Sequence, residues 1–172
     1  MKNRLAHFAL ALLILAVPAI SQEFSYVGAQ KCQICHKSET QGRQYPIWEA
    51  SRHFKSVSAL ISPQAAENAK AMGVDSPADD PRCLKCHSPL AAKAPDLKSD
   101  GVSCEVCHGP GSEYKKLSVM KDKAEAVKNG LILYAGPEAI KNQCLKCHEN
   151  PHGISFDFAT SWEKIKHSVP AK

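Results

Sequence analysis

Four copies of C-x-x-C-H use every cysteine of this 172-residue chain: Cys32, Cys35 and His36; Cys83, Cys86 and His87; Cys104, Cys107 and His108; Cys144, Cys147 and His148. In each copy two thiols can bond the two vinyl groups of a haem, and the adjoining imidazole can bind its iron. The pattern predicts four covalently attached c-type haems. It also constrains the fold, because four porphyrins among so few residues leave each with only about 40 and must themselves form the core.

Two other uses of cysteine compete. The gap between the pairs at 83–86 and 104–107 suits a zinc ribbon, and eight cysteines in a secreted chain could form four disulfides. Neither accounts for a histidine directly after all four pairs.

The N-terminus names a compartment. Lys2 and Arg4 form a basic start, residues 8–20 are an apolar run broken only by Pro18, and Ala19-Ile20-Ser21 fits a small-x-small cleavage site. Residues 1–21 read as a signal peptide, with a mature tetrahaem domain over 22–172. The apolar run is short for a bilayer span, which takes about 20 residues, so no stable membrane span is expected in the mature form. A periplasmic or extracellular location follows.

The formal charge of +5 is misleading. Loss of Lys2 and Arg4 lowers it by two, and four haems bring about eight propionates, so the holoprotein is net negative. Nucleic acid is thereby a poor partner. Lys31, Lys37, Lys85 and Lys146, each beside a haem motif, could form a local basic rim for an acidic redox protein, or be ordinary solvated lysines.

The fold class expected is mainly α with long loops, a compact multihaem cytochrome with little or no sheet. Unequal spacing of the motifs excludes a repeat array. Pro46 opens a helix expected to run to about residue 60, with Ile47, Ala50, Phe54, Val57 and Ile61 as its buried stripe and His53 at the stripe's edge. Ser62 and Pro63 begin a second helix that stops at Gly73. Residues 74–82 and 88–101 read as loops around the second motif. Ser112 is expected to cap a helix over 113–128, Pro137 to open the helix of the fourth motif, and a last helix to cover 157–167.

His36, His87, His108 and His148 are the proximal iron ligands. Low-spin electron-transfer haem takes a second strong axial ligand, and outside the motifs the mature chain offers only His53, His152 and His167. Three histidines for four irons leave one haem either open, or bound by Met72, Met120 or a lysine, or completed by a neighbouring molecule. Met72 and Met120 lie in expected helices, where filling a core gap competes with ligation. His152 lies in a turn-like Asn-Pro-His-Gly segment and reads as a ligand to a haem other than that of His148, or as a solvent-exposed turn residue. On an ideal last helix, His167 would point nearly opposite Phe158, so periodicity alone does not make it a ligand.

At these residues the chain resembles the tetrahaem cytochrome c-554 family, electron acceptors of hydroxylamine oxidoreductase in ammonia oxidisers. The resemblance rests on the order of four motifs, the segment GVSCEVCHGPG at 101–111, the segment from Trp48 to His53, and a terminal helix ending in His167. It implies distal roles for His53 and His167. It also implies one five-coordinate haem at the second motif, that of His87. The family's further distal histidine between motifs three and four is missing here, since no histidine lies between His108 and His148.

The sequence thus reads as an exported tetrahaem cytochrome carrying electrons between a donor and an acceptor protein through closely packed haems. An enzyme reducing a small ligand such as nitric oxide at an open haem, and a homo-oligomeric subunit of an extracellular filament, stand as alternatives.

Overall fold

The computed structural model describes residues 23–149 and 152–167. The leader and cleavage site expected over 1–21 lie outside the described residues. Among those described there are nine short α-helices and no strand: α1 Ala29–His36, α2 Gln44–Glu49, α3 Pro63–Ala71, α4 Pro81–His87, α5 Cys104–His108, α6 Leu117–Met120, α7 Lys123–Lys128, α8 Pro137–His148 and α9 Phe158–Glu163. Three 3-10 turns, Glu39–Gln41, Ser58–Ile61 and Pro95–Asp100, punctuate the connections. The mainly helical class is as the sequence indicated. Each motif forms its own helix end, so that α1, α4, α5 and α8 all finish on the motif histidine.

Local chemistry explains where these helices start. The Ser62 hydroxyl accepts from the Ala65 N–H and Pro63 fills the first turn of α3, which is left through Gly73 at φ +63°. Asp80 caps α4, Asp122 caps α7 and Asp157 caps α9, each carboxylate accepting first-turn N–H groups.

Three expected helices are shorter than their periodicity suggests. The helix expected over 46–60 begins at Gln44 and ends at Glu49, because its following polar groups find partners elsewhere. The Trp48 indole N–H donates to the Val102 carbonyl at 2.8 Å, the Ser51 hydroxyl donates to the Trp48 carbonyl, and the His53 carbonyl accepts from Val102 N–H. The buried side chains here are Tyr45, Trp48 and Leu60, while Ile61 of the expected stripe is 78% exposed. The helix expected over 113–128 is broken into α6 and α7. Tyr114 is buried with its hydroxyl donating to the Gly109 carbonyl, and the Ser112 hydroxyl accepts from Ser25 N–H instead of capping a helix. The last helix stops at Glu163, and its next residues turn before His167.

Side chains alone make a thin interior. Among the described residues only nine apolar side chains are buried, while Ile34, Leu117, Ile132, Leu133 and Ile154 are exposed. No helix among the described residues is long and apolar enough to cross a membrane.

Candidate haem-binding site

The N-terminus of α1, which carries the first motif, is fixed by acids from two other elements. Its N-cap, Gly28, offers no side chain. The Asp100 carboxylate accepts from Ala29 N–H at 2.8 Å, and Glu105, between the cysteines of the third motif, accepts from Val27 N–H and from Gly28 N–H at 2.8 Å. The same Glu105 carboxylate takes Gly111 N–H at 2.6 Å and is 2% exposed. These bonds hold α1 against α5, with the thiols of Cys32 and Cys104 in contact. The second and fourth motifs meet similarly, α4 packing on α8 with Cys86 and Cys147 in contact. Motifs three and four are linked by Gln143, which donates to the Val106 carbonyl, and by the Tyr134 hydroxyl, which donates to the Cys107 carbonyl.

Six of the seven described histidines face one another in pairs. Ring centroids are 6.2 Å apart for His53 and His148, 6.2 Å for His87 and His152, and 5.9 Å for His108 and His167. An imidazole nitrogen lies about 2.0 Å from a bound first-row metal, and the ring centroid about 1.1 Å further, so two imidazoles across one metal have centroids about 6.2 Å apart. The three observed separations fit an iron between the rings. Phe156 stacks on the His148 ring, with centroids 4.4 Å apart and planes 18° from parallel.

Partners at Nδ1 orient two of the motif-histidine rings. His87 Nδ1 faces the Ser56 carbonyl at 2.7 Å, and His36 Nδ1 faces Gln44 Oε1 at 3.2 Å, which leaves Nε2 of each ring for a metal. Gln44 in turn donates to the Gln41 carbonyl, which fixes the orientation of its amide. Burial holds the pKa of His53, His108 and His148 below the ordinary imidazole value, with His148 adding to the effect at His53 and His167 at His108. Neutral imidazole is the form that ligates.

Ser56 joins several of these groups. Its hydroxyl lies 2.7 Å from both the His53 and His87 carbonyls and accepts from Val102 N–H, so one side chain ties a distal segment, a proximal segment and the approach to motif three. Gly101, at φ +64°, makes room for this, since a Cβ there would meet Ser56 Oγ and lie 2.9 Å from the His53 carbonyl. Ser56→Ala should destabilise the holoprotein by about 1–2 kcal/mol, the cost of losing three part-buried hydrogen bonds of which only that to the His87 carbonyl is left without a substitute, read as a lower denaturant midpoint.

All eight thiols are free. Desolvation raises the pKa of the Cys107 and Cys147 thiols. Among the described residues no three or more His, Cys, Asp or Glu side chains converge on a common point. Paired thiols on helix ends, facing imidazoles and uncovered apolar side chains together suit covalent porphyrin.

Comparison with known proteins agrees. Residues 31–109 match the family of cytochrome c554 and c-prime. The chain is also 23% identical over 156 residues to cytochrome c-554 of Nitrosomonas europaea, a match covering 78% of this chain and 62% of that relative. The chain is thus similar to the cytochrome c-554 family. That likeness supports covalent c-type haem. No solved structure matches the chain.

Against that family the geometry departs in one respect. The resemblance implied an open haem at the second motif, but here His152 stands opposite His87. The histidine without an opposing ring among the described residues is His36. The turn after α9 is what brings His167 to His108, and the ideal-helix expectation that set it opposite Phe158 does not apply beyond Glu163. Sequence reasoning missed Glu105, Ser56, Asp100 and Gln44. The one available signal was an acid enclosed between Cys104 and Cys107.

Proposed function

We propose that this chain is a cytochrome of the c-554 type, an exported electron carrier holding four c-type haems, located in the periplasm or at the cell exterior. His36, His87, His108 and His148 are its proximal ligands, joined by His152 at the second motif, His167 at the third and His53 at the fourth. The observation that carries this reading is the set of three facing imidazole pairs, each built from residues distant in sequence and each at the separation an iron requires.

Bound haem supplies one-electron redox chemistry, and the protein contributes position, axial ligands and burial. Contacts between motifs supply the order of transfer. Cys32 touches Cys104, Cys107 lies within electrostatic reach of Cys144, and Cys86 touches Cys147. Motifs therefore adjoin in the order one, three, four, two, and tunnelling over such short steps replaces one long jump. Lys31, Lys37, Lys85 and Lys146 are all exposed beside the motifs, which suits docking of acidic donor and acceptor proteins.

Expression in a host that attaches c-type haem provides the test. The expected product carries four haems by mass, and magnetic circular dichroism of the ferric protein shows three bis-imidazole haems. A colourless chain with zinc or disulfides at the cysteines would overturn the reading.

A further inference from the structure

Motif one differs from the others in the ligands available to it. Six described histidines are used in three pairs, and His36 is the seventh. We propose that the Met120 thioether is the second axial ligand at motif one, making it a histidine–methionine haem among three bis-histidine ones. This rests on the tetrahaem reading above.

Methionine is the remaining strong neutral donor, because a lysine would first have to give up its proton, at a cost set by a pKa near 10.4. Two methionines are described. Met72 follows α3 and is 48% exposed, and its carbonyl accepts from Arg82 of α4. It therefore lies by motif two, where His152 already stands opposite His87. Met120 is half-buried and ends α6.

The route of the chain leads from a wall of motif one into α6. Ser25 and Ser112 exchange two hydrogen bonds, tying the segment that leads into α1 to the one that leads out of motif three. Two residues later Tyr114 is 5% exposed, its phenol within the field of Cys32 and Cys104. The carbonyl of Lys116 then accepts from Val119 and Met120 N–H, so α6 starts directly from that wall. Leu117 on α6 is 63% exposed and Ile34 inside motif one is 73% exposed, apolar surface of the kind a porphyrin edge covers.

Gln44 completes the arrangement from the proximal side by holding the His36 ring through Nδ1. Methionine raises a haem's reduction potential relative to a second histidine. Motif one is then the most oxidising haem and, at the end of the motif order one, three, four, two, the terminal electron acceptor within the chain.

Near-infrared magnetic circular dichroism of the ferric holoprotein should show one histidine–methionine haem beside three bis-imidazole haems. Met120→Ala should abolish the methionine signature and gain one equivalent of carbon monoxide binding on reduction, leaving the three bis-imidazole signatures intact. Met120→His should give a fourth bis-imidazole haem and bind no carbon monoxide, and Met72→Ala should match the parent. Absence of the methionine signature from the parent protein, with or without carbon monoxide binding, overturns the assignment, as does its persistence in Met120→Ala. A deficit of haems or of bis-imidazole signatures would instead count against the tetrahaem relay.

Discussion

His53→Ala should turn the fourth motif into an open haem: the His148 iron becomes high-spin, and the reduced protein binds one more equivalent of carbon monoxide than its parent. The expectation follows from the 6.2 Å separation of the two rings and from the burial that keeps His53 neutral and ready to ligate. It is large because a low-spin haem lacking one strong axial ligand changes spin state rather than shifting slightly. His148 should remain in place, since Phe156 stacks on its ring. His53→Met separates loss of a ligand from loss of structure, because a thioether at that position should restore low-spin iron and suppress carbon monoxide binding. If His53→Ala leaves all irons low-spin, the pairing is wrong.

The same residue shows what the sequence could reveal. His53 was recognisable as a candidate because four irons create a demand for imidazole, an argument from chemical supply that needs no fold. The helix invoked to present it ends four residues earlier, at Glu49. Periodicity failed there because it assumes that apolar side chains bury against other side chains. Here Phe54 packs edge-on against Trp48 after the helix has ended, while Ile61 at the same helical spacing is 78% exposed. The capping signals were more reliable: Ser62 with Pro63 marked the start of α3, and Pro137 the start of α8, because these act locally.

Partner assignment was beyond the sequence for a different reason. His152 is four residues from His148 yet faces His87, and His167 faces His108 only because the chain turns after Glu163. Which imidazole meets which depends on how α4 lies on α8 and α1 on α5, and those packings depend on bonds such as Trp48 to Val102 and Glu105 to Gly28. Such long-range polar contacts leave no periodic trace. The candidate histidines were legible, but which of them face one another required the fold.

Glu105→Ala should be the most destabilising single change outside the haem ligands. The carboxylate is 2% exposed and accepts from Val27, Gly28 and Gly111 N–H groups, and no hydrogen bond or ion pair with a cation involves it among the described residues. Truncation leaves Gly28 and Gly111 as buried donors without acceptors, at about 1–3 kcal/mol each, together with the lost charge-assisted bonds, so the holoprotein should lose on the order of 3–5 kcal/mol. Glu105→Gln keeps one carbonyl acceptor but turns an NH2 toward other N–H donors, and should fall between. Denaturant titration that follows displacement of the distal ligands reads both, because covalent haem stays attached as the chain unfolds. Motif-specific spectra should show the damage first at motifs one and three, whose helices Glu105 binds together, while the His53–His148 pair, held through Val102 and Ser56, persists to higher denaturant. Equal loss at all four motifs would mean that the carboxylate supports the whole molecule rather than the contact between Cys32 and Cys104. A change below about 1 kcal/mol would mean that water replaces the carboxylate, and that this clasp does not set the spacing of those two haems.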